Sequence, residues 1–176
     1  MRNNSIRIMT KIALLAAIIA VCSIISFPLP SGVPVTLQTF AIALAGFTLG
    51  WKFAPVSVAV YLMIGAVGVP VFAGFKSGFS VLFGVTGGYL WGFIFMAALC
   101  GAAVNRSKVL TGVLSVAGLA VCHLLGVIQF AFVSGSSPLN AFMLASVPYL
   151  IKDIMSIAVA YMIALALQKA MKFARA

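Results

Sequence analysis

Apolar positions cluster into six long runs, parted by short groups of Pro, Gly and basic residues: 12–27, 37–50, 54–73, 87–104, 109–133 and 146–167. Crossing the hydrocarbon of a bilayer takes roughly 20 helical residues. Most of these runs approach that length, and the shorter second run is read as tilted, extended into its flanks or partly re-entrant. Lipid offers no hydrogen bonds, so each span must satisfy its own backbone polar groups, and helices are expected throughout. The pattern predicts an all-α membrane protein, a single integral membrane domain over 1–176 with six transmembrane helices. Arg2, Arg7 and Lys11 precede the first run as in a signal peptide. No small-x-small cleavage site follows, so this run is read as a retained first span.

Composition sharpens the picture. The 176 residues are 64% hydrophobic and only 7% charged, with a mean hydropathy of +1.26. A soluble domain carries roughly a quarter of its residues as charges, so a water-soluble fold is excluded. The formal charge of +10 does not imply a nucleic-acid partner, because the cations form no stripe interleaved with aromatics. They sit instead at the ends of the runs, with lipid as the environment, as topology determinants do.

With the N-terminus inside, the inner segments hold Arg2, Arg7, Lys11, Lys52, Arg106, Lys108, Lys169, Lys172 and Arg175, and the outer connections hold only Lys76. That asymmetry places both termini in the cytoplasm of a multi-pass cell-membrane protein. The outer connections also differ in character. Residues 27–34 are proline-rich and uncharged, 74–88 are glycine-rich and long, and 134–138 form a short polar turn. Long connections in compact proteins often serve as binding elements or lids, so the functional face is expected outside.

Chemistry concentrates at one point. Asp153 is the only acidic residue, and Lys152 precedes it within the sixth run. Charges at such depth cost at least a few kcal/mol unless paired or solvated. Tyr149, Lys152, Asp153 and Ser156 are spaced by three and four and share roughly one helix face. The couple therefore reads as the polar wall of a small-molecule cavity, as a structural ion pair facing another helix, or as a proton relay at Asp153. On the first run, Ala13 with Ala17 and Ala16 with Ala20 make small-residue faces. Such faces suit close helix packing, either inside the bundle or against a partner.

Other side chains carry less. His123 lacks the neighbours a metal site needs, and three cysteines inside apolar runs give no disulfide framework. There is no P-loop for ATP hydrolysis, no carboxylate pair and no nucleophile triad, so an enzyme is not expected.

Particular residues carry a resemblance. Val33-Pro34-Val35-Thr36-Leu37-Gln38-Thr39, Tyr61-Leu62 followed by Gly65, Gly68 and 70–74, and Gly84-Val85-Thr86-Gly87-Gly88-Tyr89-Leu90 resemble blocks of the BioY family, the biotin-specific S-components of energy-coupling factor (ECF) transporters. The similarity in span pattern covers essentially the whole chain. It implies a six-helix S-component fold that captures biotin from outside with high affinity, in a pocket formed by the later helices and capped by the first and third loops. It also implies partners, an ECF transmembrane coupling subunit and two ATPase subunits, with Ala13, Ala16, Ala17 and Ala20 matching the docking pattern of the first helix. No cofactor or metal is implied. Many relatives have Gly-Asp-x-x-Lys in the sixth helix. Here Lys152 precedes Asp153, and Ser156 stands where that Lys would be.

On this reading, Lys152 or Lys76 meets the biotin carboxylate. Asp153, Gln38, Thr36 and backbone at Gly87 meet the ureido ring, and Tyr89, Phe83 and Tyr149 wall the bicycle. The alternative is a self-sufficient proton-coupled secondary transporter of a small organic anion, with Asp153 as the coupling group.

Overall fold

A computed structural model describes residues 2–29 and 32–173. Pro30 and Ser31 of the first outer connection, and Arg175 of the C-terminal basic group, lie outside the described residues. Within them the chain forms seven α-helices: α1 (Arg2–Ile24), α2 (Gln38–Ala66), α3 (Phe79–Leu82), α4 (Gly87–Ala102), α5 (Lys108–Ser134), α6 (Pro138–Ala145) and α7 (Val147–Phe173). Four are long and apolar enough to cross a membrane: α1 over Ser5–Ile24, α2, α5, and α7 over Val147–Ala170. The 16 residues of α4 are apolar but shorter.

The helix α2 is broken in the middle. Gly50 has φ 75° and ψ 174°, a backbone region open essentially to glycine alone. The chain doubles back there, for Gln38 Nε2 donates to the Tyr61 hydroxyl at 2.8 Å. In a straight helix residues this far apart in sequence would be separated by about 35 Å. Segments 38–49 and 51–66 therefore lie side by side. Small residues make the close approach to α4 feasible: a Cβ on Gly46 would come within 2.6 Å of Cys100 Cβ, and one on Gly101 within 2.5 Å of the Gly50 carbonyl carbon. The core between these helices is apolar and tightly filled, with Ile19, Ile42, Val58, Phe72 and Met96 almost fully buried.

One end of the bundle carries the irregular elements. A two-residue antiparallel ribbon pairs β1 (Ser26–Phe27) with β2 (Val35–Thr36), matching Ser26 to Thr36. The apolar run 54–73 is helical only to Ala66, because Gly68 (φ 110°) and Pro70 follow. Its remainder leads into a 3-10 turn at Ala73–Phe75. The Gly74 amide donates to Ser26 Oγ at 3.0 Å, which ties this turn to the ribbon. The apolar run pattern does not set α6 apart from its surroundings. It starts on a Ser137 cap that accepts from the Asn140 amide at 3.3 Å, with Pro138 in the first turn, a favourable helix opening.

Candidate functional site

Beneath the ribbon and the 3-10 turn lies a cavity of about 110 Å³. Every layer of the bundle but α1 contributes: Thr36 from β2, Gln38 and Thr39 from the first turn of α2, Tyr89 from α4, His123 from α5, and Tyr149, Lys152 and Asp153 from α7. Val33, Phe72 and Lys76 come from the two connections above. Spacing explains the α7 contribution, since residues three and four apart share one face of a helix.

Asp153 is the electrostatic centre of this cavity. Its Oδ2 lies 3.1 Å from His123 Nε2, and its Oδ1 lies 2.5 Å from Lys152 Nζ. Thr39 lines the same cavity as the carboxylate. An ionised carboxylate only accepts, so His123 Nε2 carries the hydrogen of that contact. On its other side His123 Nδ1 meets Ser146 Oγ at 2.8 Å, and Ser146 Oγ lies 3.1 Å from the Tyr89 hydroxyl. Tyr89 itself donates to the Ala145 carbonyl. A charge withdrawn from water is tolerable when it is paired; the His123 hydrogen bond at Oδ2 and the Lys152 ion pair at Oδ1 pair this one, and Oδ1 has no hydrogen-bond donor of its own among the described residues.

Lys152 has a second role. Its ammonium donates to the Thr36 carbonyl at 3.0 Å, which ties the ribbon to α7. Its side chain keeps 30% of its surface accessible, against 6% for Asp153. The lysine therefore has capacity left for a ligand anion. Tyr149 pins the ribbon from below by donating to the Val33 carbonyl. From Thr36 a further chain of hydrogen bonds leaves the cavity. Thr36 Oγ1 donates to Gln38 Oε1 at 3.1 Å, Gln38 Nε2 to Tyr61, and Tyr61 to Ser23 Oγ on α1 at 2.9 Å.

The cavity gathers seven of the nine residues expected to meet a ligand: Lys152, Asp153, Tyr89, Gln38, Thr36, Lys76 and Tyr149. Of the other two, Gly87 stands in the α3–α4 packing, where a Cβ would fall 1.9 Å from the Leu82 carbonyl oxygen. Phe83 is exposed and does not line the cavity, and Ser156 lines a separate groove between α2 and α7. On α1, Ala16 and Ala20 turn toward the core, whereas Ala13 and Ala17 are exposed.

Sequence reasoning does not single out Thr39 as a site residue, and for His123 it expects hydrogen bonding within the bundle, which the Ser146 and Asp153 contacts bear out, without naming those partners. Thr39 sits at the end of the quoted Val33–Thr39 block, a signal that was available. His123 has no such signal, because its partners lie more than 20 residues away. Among the described residues no three His, Cys, Asp or Glu side chains come together to hold a metal ion.

Residues 1–173 match the model of the BioY family. The chain belongs to the BioY family. It is 39% identical over 165 residues to the biotin transporter BioY of Thermotoga maritima, covering 93% of this chain and 96% of that one. The probable biotin transporter BioY of Pyrococcus horikoshii is 38% identical over 157 residues, covering 89% and 93%. Biotin transporter BioY2 of Lactococcus lactis is 33% identical over 174 residues, covering 97% and 95%. All three relatives carry the name of biotin transporter, the second as a probable one. The fold is similar to the crystal structure of an S-component for biotin from an ECF-type ABC transporter, with a TM-score of 0.87 and 23% identity over 96% of this chain and 94% of that one.

Proposed function

We propose that this BioY-family chain is a biotin-binding S-component, which captures the vitamin at the outer face of the cell membrane and delivers it inward with an ECF coupling subunit and two ATPase subunits. One observation carries the reading: the Lys152–Asp153–His123 cluster lines a cavity roofed by the ribbon and the 3-10 turn. A pocket that is mostly apolar with a few convergent polar groups is the usual form of a small-molecule site. Biotin matches its chemistry. The carboxylate suits Lys152 or Lys76, the ureido N–H groups suit acceptors such as Asp153 and Gln38, and the bicycle suits Tyr89, Phe93 and Tyr149.

The membrane arrangement we propose has six crossings, counting the two arms of α2 separately, with both termini inside. The break at Gly50 supports that count, and the outer position of Lys76 alone supports the orientation. Roofing of the cavity by connections at the end away from Arg106 and Lys108 is consistent with entry from outside.

The test is labelled-biotin binding to the purified full-length protein, compared with Lys152→Ala and Asp153→Ala. Wild type should bind in the nanomolar range, roughly −12 kcal/mol, and at least one variant should lose most of that affinity. Unchanged affinity in both would remove the site assignment, and no binding by wild type would remove the substrate. Uptake that follows the proton gradient and persists without ATP would favour a self-sufficient secondary transporter instead.

A further inference from the structure

At the opposite end of the bundle, α5 and α7 part and leave a groove in two adjoining sections of about 220 and 150 Å³. Phe47, Thr111 and Tyr161 line both sections, and Ile157 and Val116 continue the apolar wall. Gly112 forms part of the floor, and no atom lies within 4 Å of the place a Cβ would occupy there. The protein therefore leaves this stretch of α5 uncovered.

Two cations mark the end of the groove. Lys108 lines the larger section and Arg106 the smaller, both exposed. Neither has an acidic side chain available to it, because Asp153 is the only one in the chain and is already engaged by His123 and Lys152. A largely apolar groove ending in two cations with no acidic side chain beside them among the described residues suits an acyl chain attached to an anionic head. Basic pockets between helices on the inner side of a membrane are known to suit anionic lipid head groups.

We propose that this groove is a binding site for one anionic phospholipid, with an acyl chain lying between α5 and α7 over Gly112 and the phosphate held by Arg106 and Lys108. The lipid fills a wall that the protein leaves open and neutralises cations that have no acidic side chain beside them among the described residues. Supply from the inner leaflet rests on the orientation proposed above, whereas binding itself does not, so the two can fail separately.

The experiment is a lipid titration of the purified full-length protein in uncharged detergent, read by native mass spectrometry. Phosphatidylglycerol is compared with phosphatidylcholine of the same acyl chains, and free glycerol phosphate serves as a third ligand. Wild type should bind one phosphatidylglycerol in preference to phosphatidylcholine and should not bind glycerol phosphate. The double variant Arg106→Gln, Lys108→Gln should lose roughly 30-fold in phosphatidylglycerol affinity, the value expected for two surface cations, with phosphatidylcholine unaffected. Gly112→Leu fills the channel and should weaken both lipids equally. Equal binding of the two lipids by wild type, or a double variant that keeps its preference, would overturn the proposal. Competition by glycerol phosphate would replace it with a free-phosphate site. A change in protein stoichiometry on Gly112→Leu, with lipid binding intact, would replace it with a protein interface.

Discussion

Asp153 is held by His123 from α5 and by Lys152 from its own helix, so its charge organises the cavity as well as facing it. Asp153→Asn keeps the shape and removes the charge, leaving the Lys152 ammonium and the His123 N–H without their counter-ion. Losing one partner of a hydrogen-bonded charge pair at a binding site costs about 2–5 kcal/mol. Biotin affinity should fall accordingly in a titration of the purified variant, and a change under twofold would show that the carboxylate only holds the scaffold. His123→Phe is a finer probe. It retains the edge-to-face contact with Tyr89, whose ring centroid lies 5.7 Å away, and removes both hydrogen bonds. Hydrogen bonds to charged groups contribute about 1.5–3 kcal/mol, so the same titration should show a loss of roughly tenfold or more, and unchanged affinity would make His123 a packing residue. At this scale the α7 face was readable, because Tyr149, Lys152 and Asp153 are near neighbours in sequence. His123 was not, because its meaning depends on a carboxylate 30 residues away, a separation that periodicity does not bridge.

Among the elements, the long helices follow from apolar run length and the demand that lipid places on the backbone. The short pieces at the cavity end do not. A two-residue ribbon, a 3-10 turn and an eight-residue helix are too brief to stand on local preference, and cross-connections such as Gly74 to Ser26 and Tyr149 to Val33 hold them. Sequence pattern gives Pro and Gly as punctuation without saying what the chain builds there. The bend of α2 is a sharper case, because a single residue allows it. Gly50→Ala meets no atom within 4 Å, so any cost is that of the backbone alone. For a non-glycine residue in this region the cost is about 1–3 kcal/mol. Thermal unfolding in detergent should show Gly50→Ala destabilised, while Gly112→Ala, equally open but helical, should be neutral or stabilised by about 0.5–1 kcal/mol. Equal behaviour of the two would mean that Gly50 does not set the bend.

For the molecule as a whole, α1 is the element whose surface is least explained by the cavity. It reaches the site's edge through Ser23, at the end of the Thr36–Gln38–Tyr61 chain, and through the Cys22 carbonyl, which accepts from the Leu37 amide at 3.3 Å, and otherwise offers one face to the bundle and one outward. The small-residue pattern was visible in the sequence, but the division between its two stripes was not, because four-residue spacing does not say which face meets the protein. Ala16 is buried at 2% exposure and Ala20 packs against the core, while Ala13 and Ala17 face outward. Small outward faces let another helix approach closely in lipid, so under the proposed assembly a coupling subunit would dock on Ala13 and Ala17. Ala13→Trp should leave biotin affinity and melting temperature unchanged and should reduce co-purification of the coupling subunit. Ala16→Trp overpacks a filled core instead, at a cost of about 1–3 kcal/mol, and should lower the melting temperature before any effect on assembly is visible. If Ala13→Trp assembles as well as wild type, the outward stripe is only a lipid-facing surface, and the docking face must be sought on another helix.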